Sequence, residues 1–78
     1  MTQTEKPSTM LSHGKLPYPQ GTIVEDTVSG RTGELQGVIE ERVKKTGQII
    51  NEIAYIRPQG GGIEWDAPLR HVRPVEAD

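Results

Sequence analysis

The side chains that could do chemistry are few in this sequence. Two histidines, His13 and His71, and no cysteine exclude thiol nucleophiles, disulfides and Cys-ligated zinc. Nucleophilic catalysis needs a Ser, Thr or Cys beside a positioned base, and neither histidine sits near a nucleophile motif. Three carboxylate pairs are present: Glu25/Asp26, Glu40/Glu41 and Glu64/Asp66. Acid–base work would need a pocket that drives their pKa values apart. The scattered carboxylates and two histidines have no metal-ligand spacing. Gly60-Gly61-Gly62 resembles a phosphate loop only superficially. Phosphate loops open onto a helix N-terminus, whereas this run enters Ile63-Glu64-Trp65, a strand pattern. The sequence therefore predicts a non-enzyme with no metal and no cofactor.

Binding chemistry is better represented. Tyr55, Trp65 and Arg57 are residue types found at interface hot spots, and Trp65 is the only Trp. Trp65 has two readings, an exposed anchor or a residue of the core or its rim. Arg42, Lys44 and Lys45 cluster at an expected hairpin tip, with Glu40 and Glu41 adjoining. Over residues 21–78 the bases are Arg31, Arg42, Lys44, Lys45, Arg57, Arg70 and Arg73. The acids there are Glu25, Asp26, Glu34, Glu40, Glu41, Glu52, Glu64, Asp66, Glu76 and Asp78, so seven against ten leaves −3. A surface that tracks phosphates needs several unopposed cations, so this balance disfavours nucleic acid.

The elements that must position these groups are short strands. Length, 78 residues, allows one small domain with a thin core. In residues 21–78, seven Ile and six Val make up most of the apolar set. Such β-branched side chains suit a pleated sheet, and no window has the stripe of an amphipathic helix. Glycine and proline punctuation predicts strands at 22–28, 32–43, 48–57, 63–66 and 72–75, with a 3₁₀ turn over 67–70. Gly33 and Gly37 predict a bulge or bend in the second strand. Pro74 fits only an edge strand. Residues 1–20 are polar and proline-interrupted and read as a flexible, disordered leader, 21–78 as the domain. The sharper reading of the leader is a segment that docks on the domain or a partner through Met10, Leu11, Leu16 and Tyr18.

The hairpin between the third and fourth expected strands sets a register. A two-residue loop at Gly60-Gly61 makes Arg57 face Glu64 and Ile56 face Trp65, pairing opposite charges on one face and an aliphatic with an aromatic on the other. A longer loop would instead set Ala54 opposite Trp65.

The pieces Gly21-Thr22-Ile23-Val24-Glu25-Asp26, Gly30-Arg31-Thr32-Gly33-Glu34-Leu35, Tyr55-Ile56-Arg57-Pro58, Gly61-Gly62-Ile63-Glu64-Trp65 and Leu69-Arg70-His71-Val72-Arg73-Pro74 occur in that order. They resemble the small stand-alone SH3-like β-barrel proteins of actinobacteria and, more distantly, KOW and Tudor barrels. The resemblance covers about residues 21–75 and implies an all-β, five-stranded SH3-like barrel with a 3₁₀ turn before the last strand. Its motifs are fold-level glycines and core residues, so they bear on architecture rather than activity.

The expected role is a non-enzymatic adaptor or regulatory module for a protein or peptide, with Tyr55, Arg57, Trp65, Arg42, Lys44 and Lys45 as candidate contacts. A KOW-like nucleic-acid accessory protein is the alternative. Exposed strand edges also allow a homo-oligomer. With no long apolar run and no signal-peptide pattern, the sequence predicts no membrane span and a cytoplasmic chain.

Overall fold

The computed structural model describes residues 7–75. They form an all-β fold of six antiparallel strands: β1 (Thr9–His13), β2 (Ile23–Asp26), β3 (Thr32–Val43), β4 (Ile49–Pro58), β5 (Trp65–Pro68) and β6 (Val72–Pro74). A 3₁₀ turn, Leu69–His71, precedes β6. The strand order is β5-β4-β3-β2-β6, with β1 also pairing β3.

Two features depart from a closed five-stranded barrel. Among the described residues no ladder joins β5 to β6, so the sheet stays open. Both strands are short and each ends in a proline, which lacks the N–H a closing ladder would use. The second departure is β1, which lies within the expected disordered leader. β2 pairs only with Thr32, Gly33 and Glu34 of the 12-residue β3. The far half of that β3 edge would be left with unsatisfied backbone groups, and β1 pairs with it from Ile39 to Val43. Leu16 and Tyr18 then pack against the core, whereas Met10 and Leu11 stay exposed. Two of the four apolar residues of the docking reading, Leu16 and Tyr18, thus dock on the domain itself. Residues 1–6 of that leader lie outside the described residues.

The core is formed by Val24, Leu35, Ala54, Ile56, Ala67 and Val72, with Trp65 and Leu69 partly buried beside it. The register brings these residues to one side of the curled sheet. Leu35 pairs Ile56, and Ile56 pairs Trp65. The expected register of the β4–β5 hairpin is thus observed, although its loop differs. Gly61 N–H donates to Pro58 O, so the turn centres on Gln59-Gly60 rather than on Gly60-Gly61. The strand ladder resumes at Trp65, and Arg57 still reaches Glu64 across the loop at 3.1 Å.

The two glycines of β3 act differently. The register shifts between Leu35 and Gly37, so a bulge sits at Gln36. Because of it, Leu35 and Val38, three apart, both face the buried side. Gly33 lies in a regular part of the ladder. A Cβ there would run into the Arg57 carbonyl oxygen and come within 2.8 Å of Ile56 Cγ2 and 3.0 Å of Trp65 Cη2. Glycine is present here because two strands and an indole crowd the position.

Candidate interaction face

Strand parity divides the candidate residues between two sides of the sheet. Trp65 pairs with buried Ile56 and shares its inward side. Tyr55, opposite Asp66, points outward, as do Arg57 and its ion-pair partner Glu64. Tyr55, Arg57 and Trp65 therefore do not form one surface. Arg42 lies on the inner side of the β3–β4 arm, held by Glu40 at 2.9 Å, and donates to Gly47 O at 2.8 Å. Lys44 and Lys45 are exposed at the tip of that arm. The structure brings these three bases together at the tip, with Glu40 drawn into the group.

Trp65 is built into the rim of the core. Its ring lies over Gly33, and the Arg31 guanidinium lies over the ring at 3.8 Å from its centroid. The indole Nε1–H donates to Asp26 Oδ2 at 3.1 Å. Asp26, 5 % exposed, ends β2 and nucleates the turn into β3. Its Oδ1 accepts from Val28 N–H at 3.0 Å and its Oδ2 from Ser29 Oγ–H at 2.9 Å, while its carbonyl accepts from Gly30 N–H. Gly30 takes a positive φ of 77° to complete that turn. Burial pushes the Asp26 carboxyl up. The Ser29 hydroxyl, the Val28 N–H, the Trp65 indole and the Ser29 N–H pull it down further, so its pKa lies below the ordinary aspartate value. This cluster ties β5 to β2 through side chains where no backbone ladder does.

The surface with the character of a binding site lies on the opposite, outer side. One row runs across four strands: His13 of β1, Ile39 of β3, Ile53 of β4 and Pro68 of β5. Leu11 lies in the next row on one side, with Glu41 and Asn51, and Tyr55 in the next row on the other; Val43 lies on the same face beyond Glu41. Ile39, Val43, Ile53 and Tyr55 are half-buried, and Leu11 is 68 % exposed. Thr9, Glu41, Asn51 and Asp66 rim the patch, with Thr9 and Asn51 both donating to the Glu41 carboxylate.

Tyr55 is the one member of the patch that residue type alone singles out. Ile39, Ile53 and Val43 read in the sequence as generic strand residues, and Leu11 as one of the apolar residues of the leader. The Gln36 bulge decides that Ile39 faces out while Val38 faces in. Gly37 was the available signal for that bulge, although it does not say which residue is inserted.

No group of three or more His, Cys, Asp or Glu among the described residues is placed to hold a metal ion. No helix among them is long and apolar enough to cross a membrane. The chain matches no protein-family model, no curated protein and no solved structure.

Proposed function

We propose that this chain is a small, non-enzymatic binding module that engages a protein or peptide through the outer face of β1, β3, β4 and β5. The observation that carries this reading is the Ile39–Ile53–Pro68 row, flanked by Tyr55 and Leu11 on the solvent side of the sheet. An apolar centre with an aromatic residue and a polar rim is the anatomy of a protein interface. Glu41 and Asp66 at the rim favour a partner whose apolar contact residues are flanked by Lys or Arg. The order β5-β4-β3-β2-β6 with a 3₁₀ turn before β6 supports an SH3-like reading of the architecture. That reading concerns the scaffold and leaves the choice of ligand to the face.

The experiment compares proteins captured from native cells by the wild type and by Ile53→Asp, with Tyr55→Ala as a milder second variant. Both substitutions fall on the outer face, and NMR amide spectra verify that each variant keeps the fold. Partners held by the wild type and lost by both variants support the face. The same partners held by all three, or submicromolar salt-sensitive binding of the wild type to random duplex or single-stranded nucleic acid, would overturn the reading.

A further inference from the structure

Among the described residues, the outer edges of β5, β6 and β1 lack a paired strand, as does the Ile49–Glu52 stretch of β4 beyond β5, which a register irregularity and Glu52 interrupt. Soluble β proteins blunt such edges with proline, charge or brevity, because unpaired N–H and C=O groups recruit other strands. β5 carries Asp66 and ends in Pro68. β6 has three residues, among them Arg73 and Pro74. β1, Thr9-Met10-Leu11-Ser12-His13, has five residues, no proline and no carboxylate, Lys or Arg. Met10 is 49 % exposed and Leu11 68 %.

The backbone of β1 is arranged for a specific partner. Lys44 N–H donates to Ser8 O at 2.9 Å and Gly14 N–H to Val38 O at 2.8 Å, at the two ends of the β1–β3 ladder. Antiparallel ladders bond alternate residues, so Ser8, Met10, Ser12 and Gly14 turn their N–H and C=O toward β3. Thr9, Leu11 and His13 turn theirs toward the free edge. Those three positions are symmetric about Leu11.

We infer that β1 pairs antiparallel with β1 of a second copy of this chain, across a two-fold axis at Leu11. In that register Leu11 meets Leu11, and Thr9 meets His13 on each side. All three outward residues of each copy are then used. Each hydrogen-bonded pair exchanges two bonds, so about six backbone bonds form. Moving the axis by one residue, to Met10 or Ser12, leaves one outward residue of each copy unpaired and reduces the count to about four. The strand suits itself chemically as well. No like charges meet, Leu11 packs on Leu11 on the outer side, and Met10 lies beside Ser12 on the inner side. An isologous contact of this kind closes on itself and does not propagate into fibres. It also makes the outer faces of the two copies continuous, so a dimer would present the proposed binding face twice.

Sedimentation equilibrium of the full chain, over micromolar to millimolar concentration, tests the pairing. The expected result is a concentration-dependent rise from 8.6 kDa to twice that mass. Leu11→Lys places a cation against its own copy and should abolish the rise. In that variant, retained exchange protection at the Met10 and Ser12 N–H verifies that β1 still docks on β3. The absence of cysteine allows a register test with a short bis-maleimide. Leu11→Cys should cross-link to itself. Thr9→Cys should not, because its copies lie about 13 Å apart in this register. A mixture of Thr9→Cys and His13→Cys should cross-link again. A wild-type monomer at millimolar concentration would overturn the inference. So would a dimer that survives Leu11→Lys, or cross-linking at Thr9→Cys alone. None of these outcomes bears on the Ile53→Asp comparison, so the dimer and the binding face fail independently.

Discussion

Asp26→Asn isolates the contact that joins β5 to β2. The substitution preserves shape and leaves an oxygen for the turn, where Val28 N–H donates to Oδ1. The loss falls on the other side of the carboxylate. An amide nitrogen in the place of Oδ2 would confront the Trp65 Nε1–H, donor against donor, while the Ser29 hydroxyl can rotate to accept. A hydrogen bond to a charged acceptor contributes about 1.5–3 kcal/mol, and removing the buried charge recovers part of its desolvation cost. The expected net loss is about 2 kcal/mol at pH 7. For a chain of this length, total stability near 0.05–0.15 kcal/mol per residue is about 4–12 kcal/mol, so the effect is a large fraction of the whole. Trp65 is the only Trp, and its fluorescence in a urea titration reports from the site itself. The acid limb supplies a second test. The folded pKa of Asp26 is lowered, so its stabilisation is present above the unfolded value of about 3.9 and is lost as pH falls through the folded value. The gap between wild type and Asp26→Asn should therefore narrow on acidification below about pH 4. In a Trp65→Phe background, followed by circular dichroism, Asp26→Asn should cost at least about 1 kcal/mol less. A loss under about 0.5 kcal/mol at pH 7, or a gap unchanged down to pH 2, would refute the assignment.

Gly33→Ala should destabilise by about 1–3 kcal/mol despite adding a single methyl, because the obstructing atoms include the Arg57 backbone carbonyl and not only flexible side chains. Thermal melting would register this as a drop of several degrees, and an unchanged melting temperature would contradict the packing described for the Trp65 ring. Arg57→Ala should cost less than about 1 kcal/mol, since its ion pair with Glu64 is exposed on both sides. A double-mutant cycle with Glu64→Ala measures that pair, and a coupling above about 1 kcal/mol would mean the loop depends on it more than its exposure implies.

Much of this fold is legible in residue types. Thirteen Ile and Val residues in the last 58 positions, divided by Gly and Pro, exclude a helical domain and delimit β3 at 32–43. The pairing of Ile56 with Trp65 also follows from local chemistry, because the wrong register would separate Arg57 from Glu64. The 3₁₀ turn is displaced by two residues at its start, from 67 to Leu69, because Ala67 and Pro68 remain in β5.

What tertiary structure decided is where each apolar residue points and which edges are filled. Thr9–His13 has no alternation that would announce a strand. It becomes one because β2 covers only the first part of β3, leaving unpaired backbone that a nearby segment can satisfy. Trp65 could equally be an anchor or a rim residue until Asp26, 39 positions away, receives its N–H. Sequence spacing cannot report that approach, which depends on the curl of the whole sheet. The outer apolar face depends on one inserted residue at Gln36, since strand parity changes sides at a bulge. From the composition alone Val38 and Ile39 are interchangeable; the bulge buries the first and turns the second toward solvent.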